Sequence, residues 1–159
     1  MAPGPACPDD AFDAFAALTA AALLAGCSGD QTVRGRYFAV DDTGRPPHPI
    51  EDGWMLALPA DADATQDVLG VPFPGDGWSY HSVQLEQAEA LAAGGVWGPV
   101  GRGGWFVLPV ELGEWIVCVV GDRGGSGPLW AGGCSEVTIA DGDRLLATSG
   151  ENGFWVGHD

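Results

Sequence analysis

Short apolar runs, separated by glycine and proline, fill the chain from Val33 onward. This pattern predicts an all-β domain with many turns. The runs with the length or the alternation of strands are residues 33–40, 53–58, 104–110, 114–120, 134–140, 144–148 and 153–156. Because the 26 Gly and 12 Pro of the 159 residues fall between such runs, we expect them in the turns.

One helix is predicted in this part of the chain, at residues 82–93. Ser82 suits its N-cap, an apolar stripe at helical spacing follows, and Gly94 ends it. The helix belongs to an insertion at about residues 60–96, which begins with the acidic, turn-rich segment 61–77. The prolines of residues 45–49 predict an extended loop, and the glycine-rich segment 121–133 predicts another.

The N-terminal part of the chain has a different pattern, an apolar run from Ala14 to Leu24 that ends in Leu24-Ala25-Gly26-Cys27. This ending resembles the lipobox of bacterial lipoproteins, in which the cysteine thiol receives a diacylglyceryl group and becomes the first residue. The resemblance implies a signal segment at 1–26 and lipidation of Cys27. Residues 27–32, which are small and polar, would then be a tether, and residues 33–159 would form the single all-β domain. The resemblance also implies an extracytoplasmic location, anchored to the membrane by the lipid, since the run is too short to span a bilayer.

A second interpretation of the same segment remains open, because residues 1–13 contain three Asp and no Lys or Arg. A secretory signal normally begins with positive charge. Asp9 or Asp10 could instead cap a helix at about residues 11–25 that packs Phe12 and Phe15 on the domain. The protein would then be cytoplasmic.

The charge of the chain is strongly negative, with 22 acids against 6 bases and a net charge of −16. A nucleic-acid partner is therefore not expected, since phosphate binding needs clustered bases. All six bases are arginine, and the abundance of Ala, Gly, Pro and Trp resembles the composition of proteins from GC-rich bacteria such as actinobacteria. Attachment to an anionic membrane would have to come from the lipid, because the protein itself would be repelled.

Four cysteines are present, and their number fits an exported protein. Cys7 would leave with the signal and Cys27 would carry lipid, so Cys118 and Cys134 remain as a pair in an oxidising compartment. We expect a disulfide between them, contributing roughly 3 kcal/mol in the chain-entropy treatment. The alternative is two buried free thiols in a cytosolic protein.

The segment from Trp105 to Val119 resembles the G-x-F-x-L-x-x-L-x-x-G-x-Y-x-V signature of prealbumin-like modules, the carboxypeptidase regulatory-like and collagen-adhesin B-type families. The resemblance covers about residues 33–147, with Trp115 in the position of the usual Tyr. It implies a β-sandwich used for spacing, adhesion or protein contact, without catalytic residues. The Lys-dependent isopeptide cross-link of some adhesin modules is excluded, because the chain has no lysine.

Candidate chemistry is sparse. His48, His81 and His158 are scattered and form no metal-binding spacing, so neither a metal nor a cofactor is expected. Residues 61–67 resemble the start of a calcium loop, but Gln66 and Pro72 replace its glycine and its glutamate. We expect a solvated acidic loop; the alternative is an enzyme or enzyme-accessory domain with a site at the acidic loop 61–77.

The seven tryptophans are the remaining candidates for binding. We expect Trp54, Trp105 and Trp115 to fill the core, because they lie in predicted strands. Trp78, Trp97 and Trp130 lie beside glycines, which predicts exposed loops, and these three are the candidate ligand contacts. The sequence thus favours a non-catalytic, lipid-anchored binding or spacer module whose partner is a cell-envelope protein or a glycan.

Overall fold

A computed structural model describes residues 31–41, 43, 45–60, 67–69, 83–122, 129–151 and 153–159. Several predictions from the sequence lie outside these residues. They are the signal-like segment with Cys27, the tether as far as residue 30, the alternative helix at 11–25, Trp78, His81, and all of the acidic loop 61–77 except residues 67–69, which are helical.

The described part is built almost entirely of strands, which confirms the predicted all-β class. Its elements, in chain order, are β1 (Val33–Ala39), β2 (His48–Pro49), β3 (Trp54–Pro59), β4 (Val83–Leu85), α1 (Gln87–Ala92), β5 (Val96–Pro99), a 3-10 turn (Arg102–Gly104), β6 (Trp105–Leu108), β7 (Gly113–Asp122), β8 (Leu129–Ile139), β9 (Arg144–Gly150) and β10 (Gly153–His158). No helix among these elements is long and apolar enough to cross a membrane.

The strands form two five-stranded sheets. Sheet A has the order β10-β9-β1. On the edge of β1 that faces away from β9, β6 pairs with the first half of the strand and β2 with its end. Strands β1 and β9 run parallel, with Arg34 opposite Arg144, while the other pairings of this sheet are antiparallel. Sheet B has the order β4-β8-β7-β3-β5 and is antiparallel throughout, with a register shift in β7 between Val119 and Val120.

The two sheets pack face to face around an apolar core. This inner cluster takes Tyr37, Phe106 and Phe154 from sheet A and Met55 and Val117 from sheet B. A second cluster covers the opposite face of sheet B, where helical residues 67–69 and α1 contribute apolar side chains. Sheet B is therefore buried on both faces, which explains why residues 55–58 of β3 are buried without alternation. The outer face of sheet A has no such cover among the described residues.

The predicted disulfide is confirmed. Cys118 of β7 and Cys134 of β8 lie directly opposite each other in the ladder, with their Cα atoms 4.0 Å apart. Both are fully buried in the second cluster. Since disulfides persist in oxidising compartments, the bridge agrees with an extracytoplasmic location.

Three predictions of local structure were wrong. The helix expected at residues 82–93 begins only at Gln87, because Val83–Leu85 pairs with β8 as strand β4. The loop expected at 121–133 is shorter, since β8 starts at Leu129. In the proline loop 45–49, His48 and Pro49 pair with the end of β1. In each case pairing with a neighbouring strand of the sheet outweighs the local propensity.

Candidate binding surface

The outer face of sheet A carries an unusual set of side chains for so acidic a protein. In β1, Val33, Gly35 and Tyr37 are buried, so Arg34, Arg36 and Phe38 point outward. The registers with β9, β6 and β10 then fix which residues lie beside them. We call this surface the Trp–Arg face, defined by Arg34, Arg36, Phe38, Trp105, Val107, Arg144, Leu146, Thr148, Trp155 and Gly157.

Arg36 and two aromatic rings form one end of the Trp–Arg face. The guanidinium carbon of Arg36 lies 4.6 Å from the centroid of the Phe38 ring and 5.0 Å from that of Trp105. Both distances are within the range of cation–π attraction. Its Nη2 also donates a hydrogen bond of 3.3 Å to the carbonyl oxygen of Gly103. These contacts hold the indole of Trp105 in place while leaving it 48% exposed.

Trp155 lies at the other end of the Trp–Arg face and covers Gly157. A Cβ atom added to this glycine would lie 2.0 Å from Cη2 and 2.4 Å from Cζ2 of the indole. The six-membered ring therefore lies along the strand, over the position where any other residue would place its side chain. The indole nevertheless remains 53% exposed, the largest exposure of any described tryptophan.

The strand registers bring the two indoles into one row across the sheet. Gly157 pairs with Leu146, Leu146 with Arg36, and Arg36 with Trp105. Three steps between neighbouring strands at about 4.8 Å each separate the ends of this row by about 14 Å. Since the ring of Trp155 lies over Gly157, the row has an exposed indole at each end and Leu146 and Arg36 between them.

The charge of the Trp–Arg face is opposite to that of the whole chain. None of the outward positions of β1, β6, β9 and β10, all of them described, carries an acid, although the chain has 22 acids and only 6 bases. Arg34 and Arg144 lie directly opposite each other, both exposed. Among the described residues, neither of their side chains forms an ion pair. These two adjacent guanidinium groups are thus left without an ion pair in the described part of the chain, although Asp141 and Asp143 line the depression beside them.

Arg34 also lines two surface depressions beside the Trp–Arg face. One, of about 350 Å³, is mostly apolar and is also lined by Trp105, Pro99 and Gly101. The other, of about 310 Å³, adjoins Arg144 and the turn between β8 and β9. This second depression also contains Asp143, whose carboxylate accepts a hydrogen bond from the backbone N–H of Ala140 and lies 3.3 Å from His158.

The remaining polar groups of the described part form no comparable site. Within it, no three His, Cys, Asp or Glu side chains lie close enough together to hold a metal ion. Glu114 and Glu136 line a depression of about 230 Å³ on the outer face of sheet B. His48 and His158 are both exposed and lie in β2 and β10.

The tryptophans are placed differently from the prediction. Trp97 and Trp130, expected in exposed loops, lie in β5 and β8 and are half-buried. Trp54 and Trp105, expected in the core, are 44% and 48% exposed, and only Trp115 packs against the inner cluster. A ligand contact by Trp97, Trp130 or Trp78 stays a prediction, but the exposed indoles of the Trp–Arg face are Trp105 and Trp155.

The error has a physical cause, because the glycines beside these tryptophans are not turn residues. A Cβ on Gly98 would lie 2.2 Å from the carbonyl oxygen of Val107, and one on Gly133 would lie 2.5 Å from Cβ of Phe154. These glycines permit close packing between strands. The available signal was the alternation of Arg34, Arg36 and Phe38 with buried residues, which places both arginines on one open face.

Comparison with known proteins adds little to this description. No family model matches the chain, and no curated protein matches it either. Among solved structures, the chain is similar to a candidate carbohydrate-binding protein from Pseudomonas aeruginosa. The two are 13% identical, the match covers 76% of this chain and 88% of the other, and the TM-score is 0.46. A likeness this weak says nothing about the ligand, so the function must be argued from the residues of the chain itself.

Proposed function

We propose that the protein is a non-catalytic, extracytoplasmic binding module that acts by surface contact through the Trp–Arg face. The observation that carries this proposal is the pair of indoles, Trp105 held by Arg36 and Trp155 lying over Gly157, each about half exposed. Burying an exposed indole stabilises a complex through its large apolar area, and a ring that is already held in place loses little entropy. A spacer alone would have no need of such a surface.

The cellular setting is part of the same proposal. We propose that lipid on Cys27 anchors the module to the membrane and that residues 27–32 serve as a short tether before β1. The buried Cys118–Cys134 bridge supports export. We further propose that the sandwich is of the prealbumin-like type, on the strength of the signature between Trp105 and Val119, whose two halves lie in β6 and β7.

The anchor is tested by intact-mass measurement of the protein made in a bacterium that modifies lipoproteins. The expected mass begins at Cys27 and includes a diacylglyceryl group. Cys27→Ser should abolish the modification and release the protein from the membrane fraction, whereas Cys7→Ser should change neither. An unmodified chain that begins at Met1 would refute the anchor and favour the packed helix at 11–25.

The binding surface is tested by sedimentation of the purified protein with insoluble, delipidated cell-envelope material. We expect Trp105→Ala combined with Trp155→Ala to reduce binding about tenfold or more, since each change removes a large exposed ring. Trp54→Ala is the matched control, because Trp54 is equally exposed but lies in sheet B. Equal binding by the double variant and the control would contradict the proposal.

A further inference from the structure

We infer that the Trp–Arg face binds an acidic oligosaccharide, with sugar rings stacked on Trp105 and Trp155 and carboxylates held by Arg34 and Arg144. This inference rests on the proposed function of the same face and specifies its class of ligand. It combines the position of the two indoles, the positive charge of the surface and the absence of other partners for that charge among the described residues.

The indoles favour a sugar because of how they lie on the sheet. A pyranose ring has a face of C–H bonds, and an indole with its flat side open to solvent is the protein surface that packs best against such a face. The ring of Trp155 lies over Gly157, where no side chain competes for space. The ring of Trp105 is held by the guanidinium of Arg36 at 5.0 Å. Both platforms are thus formed before any ligand arrives.

The spacing of the platforms favours a chain of sugars over a single one. The two ends of the row are about 14 Å apart across four strands, so a short linear oligosaccharide can contact both indoles at once. Leu146 and Arg36 lie between them, and both are half-buried. The guanidinium of Arg36 lies against the rings of Phe38 and Trp105. The apolar depression of about 350 Å³ beside Trp105 extends the contact surface past that end.

The two arginines indicate that the ligand carries negative charge. Arg34 and Arg144 are cross-strand neighbours, and like charges in such positions destabilise a sheet. A bound carboxylate would remove this repulsion and accept paired hydrogen bonds from a guanidinium group. None of the outward positions of these strands carries an acid. Of the two acids in the adjacent turn, Asp143 already accepts a hydrogen bond from the backbone N–H of Ala140 and lies beside His158, and Asp141 forms no ion pair with either arginine among the described residues. The anion is therefore best supplied by the ligand.

Two other anionic partners fit the surface less well. An anionic membrane would be opposed by the net charge of −16. In addition, the indole of Trp155 lies along its strand and does not project as a wedge into lipid. An acidic peptide would bind a sheet most readily by adding a strand to an open edge, whereas the indoles and arginines lie on the face.

The test compares sugars that differ only in charge. Binding of the purified full chain to immobilised linear oligomers of glucuronate, galacturonate and mannuronate is measured by biolayer interferometry, beside the same oligomers after reduction of their carboxyl groups. We expect at least one oligouronate to bind about tenfold or more tightly than its reduced form. Arg34→Gln combined with Arg144→Gln should remove this preference, and Trp105→Ala should weaken binding to both forms.

The controls are matched within the chain. Two variants should leave binding unchanged. Arg45→Gln removes a positive charge that is not part of the Trp–Arg face, and Trp54→Ala removes an exposed indole of sheet B. Stronger binding to the reduced oligomers, lost in the tryptophan variant, would overturn the acidic ligand while leaving the proposed function intact. Retention only by vesicles containing phosphatidylserine, or only by polyglutamate, would overturn the sugar as ligand. Oligouronate binding that is unaffected by both sets of variants would overturn the site and the proposed function together.

Discussion

Breaking the Cys118–Cys134 bridge should cost the protein about 3 kcal/mol of its free energy of unfolding. The two cysteines are 16 residues apart in sequence. In the chain-entropy treatment, opening a loop of this length restores about 10 cal/mol/K to the unfolded chain, which is about 3 kcal/mol at 25 °C. For a chain of this size the same loss lowers the Tm by about 6–12 °C. Both sulfurs are fully buried, so reductant should act only while the protein is unfolded.

The measurement is urea unfolding with and without reductant in a Cys7→Ser, Cys27→Ser background, which leaves only these two cysteines. The oxidised protein should unfold at the higher urea concentration. Alkylation in denaturant without reductant should label neither thiol. A further variant, Cys118→Ala with Cys134→Ala, should lose more than reduction does, because removing the two sulfurs also leaves a cavity among Leu56, Ile116 and their neighbours.

Coincident unfolding curves of the oxidised and reduced proteins would refute this reasoning. The outcome would mean that the reduced unfolded chain is no freer than the bridged one, so that the register of β7 and β8 persists without the bond. Labelling of both thiols in the oxidised preparation would refute the bridge itself.

Three further predictions follow from single residues. Tyr37→Phe should make the free energy of unfolding less sensitive to alkaline pH. Burial raises the pKa of Tyr37, with a smaller opposing effect from its hydrogen bond to Ser149. The stability that Tyr37 contributes is therefore fully present below the unfolded pKa of about 10 and falls as the pH rises above it. Unfolding at pH 8 and pH 11 checks this, and an equal loss in both proteins would contradict it. Gly157→Ala should displace the six-membered ring of the Trp155 indole from the strand and weaken ligand binding, while changing the free energy of unfolding by less than about 1 kcal/mol; unchanged Trp fluorescence would count against it. Gly104→Ala should destabilise the fold by about 2 kcal/mol or more, because φ is +75° and its Cβ would lie 2.3 Å from the backbone oxygen of Tyr37; a smaller loss in thermal unfolding would show that the 3-10 turn relaxes.

The strands that alternate or that carry long apolar runs could be predicted from the sequence. All seven predicted strands exist, because each has a continuous apolar side to bury. Strands β4 and β5 could not be found in this way. They are short and lie in a segment that resembles an insertion, and only their pairing with β8 and β3 makes them strands. Such pairing is a property of the whole fold and leaves no local signal.

The candidate binding surface was only partly accessible from sequence. Alternation in β1 places Arg34 and Arg36 on one face, but it does not say that Arg144 lies opposite Arg34. That proximity depends on the parallel pairing of β1 with β9, across more than a hundred residues of chain. The exposure of Trp105 and Trp155 could not be predicted either, because a tryptophan in a strand is more often buried.

The register that builds the core also builds the Trp–Arg face. Alternate residues of β1 enter the inner cluster, so a slip of one residue against β9 would expose Tyr37 and bury Arg36. Burying an unpaired guanidinium costs several kcal/mol, and the exposed tyrosine would lose its packing against Phe154. The slipped register is therefore excluded by the core alone. The arginines therefore need no ion pair of their own to stay on the surface. Arg34 and Arg144, which form no ion pair among the described residues, can bind an anion without affecting the strand register.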